Sequence, residues 1–184
     1  GTDIDLALSL AAYMPLFGRG ITRVPTHHYV EAATVQDMTR QRDFRQHRYD
    51  QVDDPYGRRL QALQETGNTA RLYREVERAK IGLSAAADHA SPLSFIERDL
   101  QAETTAEGLG QAAHAYLAQL RELLTEVRHD MGSAPAAVFM TGGMSRAGYL
   151  RQAVAEAFPE ARHVHGDASF GVVQGLALAA AEPH

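Results

Sequence analysis

The segment at residues 141–146 combines residue types that can contact a nucleotide. Gly142 and Gly143 follow an apolar run and precede a helix-like pattern, and Met144 and Arg146 complete the corner. Because glycine lacks a Cβ, the backbone can turn sharply there and a ligand can approach closely. The free N–H groups at the start of the following helix favour phosphate or ribose oxygens. The pattern predicts a nucleotide contact, and an ordinary strand-to-helix turn is the alternative interpretation.

A second group of polar residues, Glu77, Lys80 and Ser84, falls at positions i, i+3 and i+7. A helix places residues with this spacing along one line. Glutamate and serine can accept hydrogen bonds from ribose hydroxyl groups, and lysine can donate. The line is therefore a candidate ribose contact. The alternative is a surface Glu–Lys pair, which contributes roughly a few tenths of a kcal/mol.

A third group places one hydroxyl and two carboxylates, Thr2, Asp3 and Asp5, beside the first apolar residues. Oxygen ligands of this kind can order water bound to Mg²⁺. The alternative is that the three residues form the polar face of a strand.

Two other constellations are not expected to carry chemistry. His27, His28 and His47 lack a regular ligand spacing and no cysteine assists them, so we predict no zinc site. Ser145 lies in Gly-Met-Ser-Arg-Ala, which is not the Gly-x-Ser-x-Gly elbow of hydrolases. We expect Ser145 to cap a helix instead.

The elements that position these groups follow from hydrophobic periodicity. Residues 2–10 alternate as a half-buried strand does. A short helix is predicted over 57–65, and a long one from Asn68 to about residue 87 has its apolar stripe at Leu72, Val76, Ala79 and Leu83. The remaining predicted elements are a strand at 92–98, a helix from Thr104 to about 130 with Glu107 completing its cap, a strand at 136–141 covered on both faces, a helix ending at Pro159, a strand at 163–165 and a last helix capped by Ser169.

This order predicts an α/β fold with a helical insertion. The last third alternates strand, glycine turn, helix, strand and helix, which is typical of an α/β unit. We expect the strand at 2–10 to join the same sheet. Residues 1–20 and 104–184 then form one discontinuous core subdomain, and residues 21–103 form a mainly helical inserted subdomain.

Composition excludes several classes of function. The net charge of -5 offers no basic excess for nucleic acid. The charged stretch at 39–54 is interpreted as a solvated loop. The longest apolar run, residues 6–17, is interrupted and too short to span a membrane. The absence of cysteine excludes disulfides and fits a reducing cytoplasm.

Taken in order, the motifs resemble the second lobe of the nucleotide-binding domain of DnaK-type (heat-shock protein 70 family) chaperones. Glu77-Arg78-Ala79-Lys80 with Leu83-Ser84 is similar to the family's adenosine-contacting helix. Gly142-Gly143-Met144-Ser145-Arg146 is similar to its adenosine motif. The stretches 2–10, 13–16 and 18–20 resemble the YegD-type branch, which has the ATPase domain without a peptide-binding domain.

The resemblance implies a lobe of the actin-like ATPase (ribonuclease H-like) fold that binds ATP or ADP with Mg²⁺. It implies catalytic roles for Asp3 and Asp5, with Asp5 contacting Mg²⁺ through water. The nucleotide contacts that it implies are Gly1, Thr2, Glu77, Lys80, Ser84, Gly142, Gly143, Met144, Arg146, Asp167 and Ser169. Ile81 stands where the family usually has an arginine that stacks on adenine, and Met144 replaces a common serine.

The resemblance also implies partners. Phosphoryl transfer needs charge neutralisation from both sides of a cleft, so the chain is expected to act with a first lobe and to be inactive alone. The complete protein would be a cytoplasmic chaperone ATPase, a hydrolase of the stress response that meets unfolded or client proteins. The alternatives are a lobe of an actin-like-fold sugar kinase and a non-catalytic interaction module.

Overall fold

The computed structural model describes residues 2–141 and 147–165. Residues 2–113 form one compact unit, and the described residues from 114 onward belong to a second. Helices predominate, and the described strands form two sheets of two strands each. The mixed α/β class is therefore confirmed. The predicted division into a core of 1–20 with 104–184 and an insertion of 21–103 stays a prediction.

The first unit is a group of helices followed by a β-hairpin. Its elements are α1 (Thr2–Leu8), a π-helical turn (Ser9–Tyr13), a 3-10 turn (Met14–Phe17), α2 (Thr26–Ala33), α3 (Met38–Gln46), α4 (Tyr56–Gln64), α5 (Asn68–Gly82), β1 (Asp88–Pro92), β2 (Gln101–Thr105) and α6 (Ala106–Met131), which continues into the second unit. The hairpin is antiparallel, with Asp88 opposite Thr105 and Pro92 opposite Gln101.

The predicted strand at residues 2–10 is wrong, because the segment is helical. Its buried residues come in pairs, at positions 4 and 5, 8 and 9, and 13 and 14. The first two pairs are one α-helical turn apart, and the π-helical turn adds one residue before the third. Alternating leucines suit a strand, but leucine and alanine are also strong helix formers, and packing against neighbouring helices selected the helix.

Helices α4 and α5 confirm their predictions closely. The four stripe residues Leu72, Val76, Ala79 and Leu83 are all buried. Gly67 precedes α5 with φ of 88°, in the left-handed region that favours glycine. Asn68 is thus the first helical residue rather than the cap. Helix α5 ends at Gly82, earlier than the predicted residue 87.

Three other boundaries were predicted wrongly. The strand predicted at 92–98 is mostly the hairpin loop, in which the Leu93 N–H donates to the Leu100 carbonyl over 2.8 Å. Thr104 lies in β2, and the Thr105 hydroxyl instead accepts from the Gly108 N–H at 2.9 Å at the start of α6. The stretch at 39–54 is not only loop, since α3 (Met38–Gln46) extends into it as far as Gln46 and is capped by Asp37 just before it.

The second unit contains β3 (Ala137–Met140), α7 (Gly148–Ala157) and β4 (Arg162–His165). The two strands are parallel, and Met140, Val154, Phe158 and Ala161 form the core beneath them. This order confirms the predicted strand, helix and strand. Phe139 of β3 is 69% exposed, so the described residues do not show the predicted cover on both faces of this strand. The caps predicted at Ser145 and Ser169 lie outside the described residues.

No helix in the described part of the chain combines the length and apolar character needed to cross a membrane.

Candidate functional site

A buried ion pair joins two of the predicted site residues. Lys80 Nζ of α5 lies 2.6 Å from Asp5 Oδ1 of α1, and the two side chains are 14% and 3% exposed. The Tyr73 hydroxyl donates to the other oxygen, Asp5 Oδ2, over 3.4 Å. Asp5 Oδ1 itself has no partner in hydrogen-bonding geometry, so its contact with Lys80 is mainly electrostatic. Each charge is costly to remove from water, and the attraction of its partner counters part of that cost.

Tyr73 connects this pair to a small cavity of about 260 Å³. Thr2 and Asp3 line one part of the cavity wall, and Asp37 and Arg40 line another. Burial, and then the negative charge of Asp5, raises the pKa of Tyr73. Tyr73 therefore remains a neutral donor between Asp5 and the cavity. The structure thus places Thr2 and Asp3 at a cavity and Asp5 behind it.

The side chains predicted to form one line on α5 point in two different directions. They belong to Glu77, Lys80 and Ser84. Glu77 and Ser84 are exposed, whereas Lys80 turns inward to Asp5. Ser84 lies just beyond the end of α5, and its hydroxyl donates to the Lys80 carbonyl over 3.3 Å. Ile81 is 64% exposed and lies between Glu77 and Ser84 in the chain. Glu77, Ile81 and Ser84, at i, i+4 and i+7, form what we call the outer face of α5.

The remaining predicted contacts fall outside the described residues. They are Gly1, Gly142, Gly143, Met144, Arg146, Asp167 and Ser169. Their roles, and those of the described candidates toward a nucleotide, stay predictions.

A cluster of three histidines was missed by the sequence analysis. Each of His27, His28 and His47 offers a ring nitrogen, and these atoms lie within 4.8 Å of one another. The His28 and His47 rings are stacked, with centroids 3.5 Å apart and planes 5° apart. The irregular spacing in the sequence gave no indication of this proximity, because α2 carries the His27–His28 pair while His47 follows α3. A prediction of α2 and α3 as a packed pair of helices would have been the signal.

Two neighbours fix the rings of this cluster. Glu31 Oε2 lies 2.6 Å from His47 Nε2, and the Tyr49 hydroxyl lies 3.2 Å from His28 Nδ1. Burial, followed by the proximity of His47 and His27, lowers the pKa of His28 to about 4. Burial also raises the pKa of Tyr49. Near neutral pH, His28 is therefore an uncharged imidazole beside a neutral tyrosine.

No model of a known protein family matches the chain. No solved structure matches it.

Proposed function

We propose that this chain is a nucleotide-binding lobe of a chaperone ATPase of the heat-shock protein 70 class. The observation that carries the proposal is the motif Glu77-Arg78-Ala79-Lys80 with Leu83-Ser84 on and just after one helix. Its apolar members, Ala79 and Leu83, are buried, whereas its polar ends Glu77 and Ser84 are exposed. This division supports a helix that packs on one side and contacts a ligand on the other.

The outer face of α5 suits an adenosine. Exposed Ile81 offers an apolar surface for the purine ring, and burying it would release ordered water. The Glu77 carboxylate accepts hydrogen bonds from ribose hydroxyl groups, and such bonds to a charged group are stronger than neutral ones. The Ser84 hydroxyl both donates and accepts. We therefore assign the base to Ile81 and the ribose to Glu77 and Ser84.

The acidic residues of α1 suit the phosphate end of the ligand. Asp3 faces the cavity, and Asp5 Oδ1 is a buried carboxylate oxygen without a hydrogen-bond donor. Asp3 and Asp5 are the residues that would hold the water ligands of Mg²⁺, and the ion would neutralise phosphate charge. Lys80 donates to the nucleotide in this proposal, so its pair with Asp5 must open on binding.

The finer fold assignment is part of the same proposal. In an actin-like ATPase lobe, the parallel β3–α7–β4 unit would belong to a larger core sheet. Hydrolysis would need a second lobe, because charge on the transferred phosphoryl group must be neutralised from both sides. We expect the 184-residue chain to bind nucleotide without hydrolysing it at a useful rate.

Calorimetry with ADP and Mg²⁺ tests this function. Glu77→Gln should weaken binding roughly three- to tenfold, since one charged acceptor is lost. Glu65→Gln is the matched control, because Glu65 is also exposed but lies just after α4, away from the outer face of α5. The proposal fails if the wild-type chain shows no heat of binding and no thermal shift, or if the two variants bind alike.

One observation favours a second candidate, an interaction module without nucleotide binding. The Asp5–Lys80 pair satisfies, within the chain itself, the two charges that a nucleotide site would use. Under this alternative, ADP with Mg²⁺ produces no heat and Lys80→Met changes stability alone.

A further inference from the structure

We propose that His27, His28 and His47 form a binding site for one divalent transition-metal ion of the zinc class. Imidazole nitrogen is a preferred ligand of such ions. Three ligands from one protein leave a fourth position for water or another ligand. This site is separate from the proposed nucleotide contacts and does not depend on them.

The neighbours of the cluster leave a suitable nitrogen free on each of two rings. Glu31 engages His47 Nε2, so Nδ1 of that ring is available to an ion. Tyr49 engages His28 Nδ1, so Nε2 is available there. No hydrogen bond of the His27 ring occurs within the described residues. A carboxylate on the far nitrogen, as Glu31 supplies to His47, is a usual partner of a metal-bound histidine, since it fixes the tautomer and the ring orientation.

The backbone around the cluster is held in place by two glutamine side chains. Gln41 Nε2 of α3 donates to the Glu31 carbonyl of α2 over 2.7 Å. Gln64 Nε2 of α4 donates to the Phe44 and His47 carbonyls, at 2.7 and 2.9 Å. These bonds tie α2 to α3, and they tie α4 to the end of α3 and to the backbone of His47, so the segments that carry the three rings are held together.

The rings must rearrange before all three histidines can bind the same ion. Nitrogen lone pairs lie in the ring plane, and the stacked His28 and His47 rings direct theirs along parallel lines. At a metal–nitrogen distance of about 2.0–2.1 Å, the nitrogens must also converge from their present separations. His28 lines a cavity of about 590 Å³, which gives it room to turn. Arg23 and Arg48 line the same cavity, so a fourth ligand from that side is expected to be water or an anion.

Titration of the untagged chain with Zn²⁺ by calorimetry, and with Co²⁺ by visible absorption, tests the site. We expect one equivalent to bind with micromolar or tighter affinity, and the Co²⁺ spectrum to report nitrogen coordination. His27→Ala should weaken binding roughly tenfold or more, and this exposed position should leave the fold intact. Glu31→Gln should weaken binding by about 10- to 100-fold through the His47 ring.

His129→Ala is the matched control, because His129 is an exposed histidine of α6 outside the cluster. It should bind both ions as the wild-type chain does. Circular dichroism of each variant verifies the fold. The proposal is overturned if the wild-type chain binds neither ion, if His27→Ala binds as tightly as wild type, or if His129→Ala loses affinity equally.

Discussion

Lys80 of α5 and Asp5 of α1 form a buried ion pair, with 2.6 Å between Nζ and Oδ1. The pair links two helices that are far apart in the chain, and it joins two residues that were predicted to belong to separate candidate sites. Because both charges are withdrawn from water, each depends on the other. The same contact bears on stability and on the proposed ligand, and the two effects can be measured separately.

Removing one partner of this pair should destabilise the first unit strongly. Lys80→Met leaves the Asp5 carboxylate buried without its counter-charge, which costs about 3–5 kcal/mol in comparable cases. The double substitution Asp5→Leu with Lys80→Met should restore much of that stability. Urea unfolding measures both. Arg58→Met is the control, because Arg58 and Asp54 form an exposed pair that we expect to contribute little. Equal midpoints for Lys80→Met and wild type would contradict the burial argument.

The proposed base contact predicts a gain of affinity at Ile81. Ile81→Arg introduces the residue that the heat-shock protein 70 family usually has at the position the resemblance matches to Ile81, and a guanidinium over an aromatic base contributes about 0.5–2 kcal/mol. We expect ADP with Mg²⁺ to bind roughly two- to thirtyfold more tightly by calorimetry. Met38→Arg adds the same charge at another exposed apolar position, 76% exposed at the start of α3. Tightening by both variants would indicate a general charge effect and would count against the base contact.

Two glycine-to-alanine substitutions should change stability in opposite directions. A Cβ at Gly57 would lie 2.5 Å from the Val52 carbonyl oxygen and 3.0 Å from that of Tyr49, so Gly57→Ala requires the backbone to move. A Cβ at Gly110, inside α6, would meet no atom within 4 Å. Gly110→Ala should therefore stabilise by about 0.5–1 kcal/mol, because alanine favours a helix interior. Thermal unfolding of both variants tests the pair, and a stabilised Gly57→Ala would show that this close approach is absent.

Stability should fall at alkaline pH because of Tyr13. Burial raises the pKa of Tyr13 from 10.0 to about 12, and its hydroxyl lies 2.7 Å from Ser91 Oγ. Between these values the unfolded chain releases the proton and the folded chain keeps it. The contribution of Tyr13 to the free energy of unfolding is thus complete below pH 10. It falls by roughly 1–3 kcal/mol as the pH rises toward 12.

Chemical unfolding across this range, with tyrosinate absorbance as a second readout, measures the loss. Tyr13→Phe should show a smaller decline than wild type. Burial raises the pKa of Tyr29 as well, so part of the alkaline decline should persist in the variant. If the free energy of unfolding fell equally with pH in the wild type and in Tyr13→Phe, the alkaline decline would be due to groups other than Tyr13.

The sequence by itself determined the elements whose hydrophobic pattern was compatible with only one type of secondary structure. In α5 the apolar residues recur at helical spacing alone, so the stripe from Leu72 to Leu83 was located correctly and is buried. The apolar run at β3 and the pattern of α7 likewise predicted a strand, helix and strand, and the structure shows that the two strands are parallel. These features depend on neighbours a few residues apart, where local geometry fixes which side chains share a face.

The tertiary structure decided the rest. The alternation of residues 2–10 predicted a strand, and the packing of α1 against neighbouring helices selected a helix instead. Spacing in the chain gave no sign that Lys80 would turn away from Glu77 toward Asp5, or that His47 would stack on His28. Such contacts join residues that are far apart in sequence and arise only when separate helices pack. The candidate metal ligands are therefore visible only in the folded chain, whereas the proposed nucleotide contacts were selected from the sequence.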